Sequence, residues 1–241
     1  MEPAILRTGS DVAGWVLASS TVALAVGTLL LAGIALFQDQ LREWLRRPHL
    51  TASIDMAPPD CHMITLGIGP AAIDTFYMRI RVMNDGDVPA RDVEVFAVEL
   101  RIDESGHWKP LTTFLPMNLV WSHMWVQAGR LVIYFPMISP HMFKHCDLAN
   151  IIDPARRAGH PEENPALGLS PMQTSARFNV MVYPNHKGEI VGPGRYQVDL
   201  VVAASNARPT RFVAEINLTG NWYANESQML ASGVSATIHP A

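Results

Sequence analysis

Residues 75 to 103 read TFYMRIRVMNDGDVPARDVEVFAVELRID, and their periodicity decides the fold. Phe76, Met78, Ile80 and Val82 alternate with Tyr77, Arg79 and Arg81. A period of two with one apolar and one charged set is the pattern of a strand with a buried and a wet face. Asp85-Gly86-Asp87 follows as a tight turn, because Asp and Gly tolerate the backbone angles that turns require. Beyond it, Val93 and Val95 share one phase, whereas Phe96, Val98, Leu100 and Ile102 share the other. One extra residue near Val95 to Ala97 reconciles the two phases, which predicts a β-bulge there.

The same period returns in the last third of the chain. ARFNVMVYP reads as a strand and VGPG as a turn; in RYQVDLVVAASN the set Tyr196, Val198, Leu200, Val202 faces inward. Phe212, Ala214, Ile216 and Leu218 then alternate with Val213, Glu215 and Asn217. Short alternating strands separated by Gly, Pro and Asn, with no long soluble helix among them, predict an antiparallel β-sandwich. The predicted sandwich runs over 48–241, roughly 190 residues, enough for a core and nearly twice the ~100 of a minimal immunoglobulin-type sandwich. The surplus is a long middle insertion. Residues 103–150 carry aromatic and apolar material for extra strands, and 153–175 is polar and proline-rich. Loops longer than about 12 to 15 residues are usually functional or disordered, so 153–175 is expected to be a mobile loop.

Upstream lies VAGWVLASSTVALAVGTLLLAGIALF, from Val12 to Phe37, without an ionisable residue. At about 1.5 Å per residue it reaches about 39 Å as a helix, enough for a ~30 Å hydrocarbon core with tilt. It is too long for the apolar core of a cleavable signal, about 7 to 15 residues, and bulky Leu36 and Phe37 close it. The expected organisation is a short tail over 1–11, a transmembrane helix with a juxtamembrane extension over 12–47, and the sandwich. Pro48 disfavours helix at Arg47, which sets the expected helix end at about Arg47. Trp44, Arg42, Arg46 and Arg47 fit the membrane interface, an aromatic at headgroup depth with cations near anionic lipid. Arg7 stands alone on the other flank. Because basic flanks resist translocation, the N-terminus is expected outside a bacterial cytoplasmic (inner) membrane and the sandwich in the cytoplasm. Ser19, Ala23 and Gly27 recur every four residues, a small-residue face through which two copies of the helix can approach.

The chain of 241 residues is 49 % hydrophobic and 17 % charged, with a net charge of −4, which argues against nucleic acid as a partner. No G-x-S-x-G elbow, P-loop or G-x-G-x-x-G occurs, so hydrolase and nucleotide templates find no match. PHMFKHCD, residues 140 to 147, is the one cluster with metal-ligand chemistry. His141 and His145 at i, i+4 share a face if the segment is helical, and Cys146 adds a thiolate suited to zinc. The Glu that a zinc hydrolase needs after its first His is missing. His62 with Cys61, or His160, would have to complete the site in space. The plainer expectation is a short turn or helix packing Met142, Phe143 and Leu148 on the sandwich, with no catalytic residue and no cofactor. NDGD, Asn84 to Asp87, lacks the alternating oxygens and terminal Glu of a calcium loop and reads as a turn.

YMRIRVMNDGDVPARDVEVFAVEL, with GPGRYQVDLVVAASN, resembles the V-x-N-x-G, A-x-x-V-x-V pattern and later P-G-x-Y strand of bacterial immunoglobulin-like CARDB domains. TGNWYANESQML is similar to the closing segment of bacterial proteins that attach such a sandwich to one N-terminal span. The chain departs from CARDB domains in its length and its middle insertion. The resemblance implies a non-catalytic interaction or adhesion unit. The expected function is therefore a membrane-anchored scaffolding module with a protein partner. One alternative is an exported envelope or adhesion domain, which predicts a Cys61–Cys146 disulfide or protease accessibility in intact cells; the other is a metal-dependent enzyme around His141, His145 and Cys146.

Overall fold

The computed structural model describes residues 7–45, 47–69, 72–123, 126–127, 130–161 and 163–241. The chain divides into two compact units after residue 46. The first contains helix α1, Arg7–Leu45. Its stretch Gly14–Gln38 is long and apolar enough to cross a membrane, with none of it buried against protein. The hydroxyls of Ser19, Ser20, Thr21 and Thr28 donate to carbonyls three or four residues back, at 2.8 to 3.0 Å, which satisfies them without water. The helix already includes 7–11, expected as tail, because helical hydrogen bonding extends past the apolar run. Its described helical residues run to Leu45, and Arg47 is not helical, as the restriction that Pro48 places on the residue before it requires.

The second unit is built from strands β1 (Leu50–Ser53), β2 (Cys61–Leu66), β3 (Ile73–Asn84), β4 (Ala90–Glu104), β5 (His107–Pro110), β6 (Met117–Asn118), β7 (Val120–Trp121), β8 (Val126–Gln127), β9 (Arg130–Leu131), β10 (Phe135–Ile138), β11 (Phe143–Ile152), β12 (Ala176–Phe178), β13 (Ile190–Val191), β14 (Gly194–Ala204), β15 (Ala207–Leu218) and β16 (Val234–Pro240). One antiparallel sheet runs β1-β3-β11-β12-β13, with β2 on β3 and β7 on β11. The other runs β10-β4-β14-β15-β16, with β5 and β6 also on β4. The consecutive long strands β3 and β4 lie in opposite sheets; β11 returns beside β3, and the β14–β15 hairpin joins β4. That is the B–E and C–F–G pairing of an immunoglobulin-like sandwich. Tyr196, near the start of β14, donates its hydroxyl to the carbonyl of Gly192 at 2.9 Å, the tyrosine corner of that fold. Burial pushes this phenol up to about 12.

The core is one cluster drawn from both sheets. Phe76, Met78, Ile80 and Val82 meet Val93, Val95, Ala97 and Leu100, with the predicted inward sets of β14 and β15. The bulge in β4 lies slightly later than Val95 to Ala97: Leu200 pairs with Ala97 and Asp199 with Glu99, which leaves Val98 as the extra residue. The turn at 85–87 is held by buried Asn84. Its amide nitrogen donates to the carbonyls of Val88 (2.8 Å) and Ile138 (3.1 Å), and its side-chain oxygen accepts the Gly86 N–H (3.1 Å). A Cβ on Gly86 would stand 2.7 Å from the His49 nitrogen, so only glycine fits this approach.

The stretch 103–150 supplies the extra strands β5 to β10, as its aromatic content suggests, and most of the framework strand β11. The predicted strand ARFNVMVYP is cut short at Phe178, beyond which Val180 makes an isolated bridge to Leu119. In 153–175 there are short 3-10 turns at Pro154–Arg156 and Pro165–Leu167. Buried Arg157 donates to the carbonyls of Ser170 (2.9 Å) and Gln173, and the Thr174 N–H reaches the Gly220 carbonyl at 2.9 Å.

Candidate functional site

The wet face of β3 carries Tyr77, Arg79 and Arg81 because its other face fills the core. Antiparallel pairing with β11 sets His145 opposite Arg81 and Asp147 opposite Arg79. Asp60, just before β2, slides in beside them and is fully buried. One of its oxygens accepts from Arg81 Nη2 and His145 Nε2, both at 2.9 Å, and the other from the Asp55 N–H at 3.0 Å. Arg79 Nε reaches Asp147 at 3.1 Å, and its Nη1 lies 3.3 Å from His62 Nε2. The Ser122 hydroxyl also donates to Asp147. Burial, and then the Arg79 charge, hold His62 below the usual imidazole range, so Nε2 acts as acceptor to the guanidinium.

This face differs from the expectation for PHMFKHCD. His145 and Cys146 belong to a strand, whose alternation sends them to opposite faces, because pairing with β3 outweighs the local i, i+4 pattern. His141 precedes the strand, exposed, with Nε2 3.7 Å from Asp87. Cys146 is buried and donates to the Val120 carbonyl at 3.4 Å; burial, and then Asp147, push its thiol well above the ordinary range. The three candidate ligands do not converge. Among the described residues no group of three His, Cys, Asp or Glu side chains is placed to hold a metal ion. Ser122 faces Asp147 rather than His145, so the hydroxyl and the imidazole form no nucleophile–base pair.

Both cysteines are free and buried. Cys61 pairs with Met78 in β2 and Cys146 with Ile80 in β11, on opposite sides of β3. Two strand spacings of about 4.8 Å put their backbones beyond the ~7 Å limit for a disulfide, which corrects the expected bridge of the exported alternative. The Cys61 thiol is pushed up to about 12 by burial and then by Asp60.

One backbone donor on each of two edge strands is capped. The Met63 N–H of β2 donates to Glu226 at 2.7 Å, and the Ala236 N–H of β16 meets the Met56 sulfur at 3.2 Å. Glu226 opens a short helical turn, Glu226–Gln228, capped by the Asn225 side chain. Capped donors leave less backbone for a foreign strand to pair with. Where β7 stops, a cleft of about 450 Å³ opens beside the ion network, lined by Arg79, Ser122, His123, Phe135, Phe143, Lys144 and His145. Of these, only His145 stands out in the sequence as a candidate ligand; the rest come together through pairing of β3, β7 and β11 and the approach of Phe135 from β10 of the other sheet.

Of the interface residues, Arg47 is exposed at the start of the second unit. Trp44 and Arg42 lie on the helical backbone of α1, whereas Arg46 lies outside the described residues. Ser19, Ala23 and Gly27 fall within α1 at one-turn spacing. No family model, no curated protein and no solved structure matches this chain.

Proposed function

We propose that the chain is a membrane-anchored, non-catalytic scaffolding module of the CARDB-like type, whose α1 crosses a bacterial cytoplasmic membrane with the sandwich in the cytoplasm. The observation that carries this reading is the conjunction of one lipid-compatible helix with a sandwich whose ion network around Asp60 and Asp147 is spent on its own members. Arg79, Arg81 and His145 are each matched to Asp147 or Asp60, so these groups hold strands together rather than await a reaction. The orientation is supported by three arginines after the span against one before it. Two buried thiols that cannot reach each other suit a reducing compartment.

The topology is tested by fusing a reporter active only in the cytoplasm, and one active only after export, behind Ala241. Activity of the cytoplasmic reporter alone is expected; activity of the exported one alone overturns the orientation. The scaffolding half is tested by cross-linking in intact cells, comparing the full chain with a form lacking 153–175. A specific cross-linked neighbour is expected with the full chain. Cross-linking no different from that of an unrelated single-span protein overturns it.

A further inference from the structure

We infer that the cleft beside β11 binds a small organic acid, a carboxylate carried on an aromatic or similarly compact apolar body. This goes beyond the scaffolding reading and does not depend on it. Four of the seven lining residues are basic and none is acidic, in a chain of net charge −4. The neighbouring acids lie beneath the cleft and are occupied: Asp147 by Arg79 and Ser122, Asp60 by Arg81 and His145. Lys144 differs from Arg79 and His145. Its ammonium stands 5.2 Å from the Phe135 ring centre and, among the described residues, has no carboxylate partner. Two rings border the cleft from the two sides of β11: Phe135, on the Lys144 side, is braced edge-on by buried Trp121 at 5.4 Å, and Phe143, on the opposite side, by His145 at 5.4 Å.

A cation over one aromatic, with a second ring and a hydroxyl nearby, is complementary to an anion attached to an apolar body. The size of the cleft is in the ordinary range for small ligands, about 300 to 1,000 Å³. An extended peptide is less well served. The His145 carbonyl already accepts the Ser122 N–H at 3.0 Å, so an incoming strand finds no ladder at that point of β11.

The test uses the full chain in nanodiscs and titrates phenylacetate, observed by saturation-transfer NMR and competition. Saturable binding is expected, with a dissociation constant on the order of 1 mM or tighter. Phenylacetamide, which lacks the charge, should bind about tenfold more weakly, and Lys144→Gln should lose about tenfold for phenylacetate only. Phe143→Leu should weaken both ligands alike, and unchanged melting of each variant separates lost binding from lost folding. Absence of saturable phenylacetate binding to the wild-type chain overturns the inference, as does equal affinity for acid and amide. Binding of acetyl-Asp-Phe-amide where phenylacetate fails also overturns it, by assigning the cleft to a peptide.

Discussion

The outer faces of the two sheets carry the same ion-pair chemistry in opposite settings. On the first sheet Asp60 is 0 % exposed, and the Arg79 and Asp147 side chains are 11 % and 14 % exposed. On the second, Arg101 pairs with Glu99 at 2.8 Å and with Asp199, and Gln197 donates to Glu215 at 2.9 Å; yet Glu99 is 44 % exposed. At the β4–β5 hairpin Lys109 meets Glu104 in open solvent. Water screens the second set; in the first it reaches Arg81, 27 % exposed, but is largely excluded from Asp60 and from the Arg79–Asp147 pair. The first network is therefore costly to break and fixes where β2, β3 and β11 sit, whereas the second adds little to stability.

The largest effect is expected from Asp60→Ala, which takes the acceptor from His145, leaves Arg81 only the exposed Asp55 carboxylate at 3.4 Å, and frees the Asp55 N–H. Removing one partner of a buried pair costs about 3 to 5 kcal/mol, read by denaturant unfolding. Asp147→Asn, which weakens the acceptor for Arg79 and Ser122, should cost about 2 kcal/mol. The pH dependence follows from His62, whose folded pKa is lowered. Below the unfolded value of about 6.5 the unfolded chain binds more protons than the folded one, so stability is full above that pH and falls as pH drops toward the folded pKa. Melting curves between pH 7.5 and 5 should show this loss, and His62→Gln should flatten it. The smallest effect is expected from Glu99→Gln, within about 1 kcal/mol and shrinking as salt is added. If Glu99→Gln costs as much as Asp60→Ala, the contrast between the two faces is wrong.

The long strands are legible because their apolar residues keep a strict period of two, as Phe76 to Val82 and Tyr196 to Val202 do. The bulge falls a little beyond its expected place because Phe96 and Val98 are both apolar yet only partly buried, so hydrophobicity does not mark the phase change there. His141 and His145 are misleading for a related reason. Their spacing suits a helix, and only pairing with β3 reveals that His145 and Cys146 diverge. Asp60 carries no local signal, since its side-chain partners Arg81 and His145 lie 21 and 85 residues away. The one available clue was the pair Arg79 and Arg81 on the wet face of β3, which calls for acids across the strand.

The placement of the sandwich in the cytoplasm is the claim on which the proposed role rests, and the buried thiols permit a direct measurement of it. Cys61 and Cys146 are shielded and poorly ionised, so they react slowly with maleimides. Ile68, between Gly67 and Gly69 at the β2–β3 hairpin, is 93 % exposed and offers a site for a single reporter thiol. With Ile68→Cys in spheroplasts, a membrane-impermeant maleimide should label the protein only after permeabilisation. Full labelling of intact spheroplasts would place the sandwich outside and contradict the account.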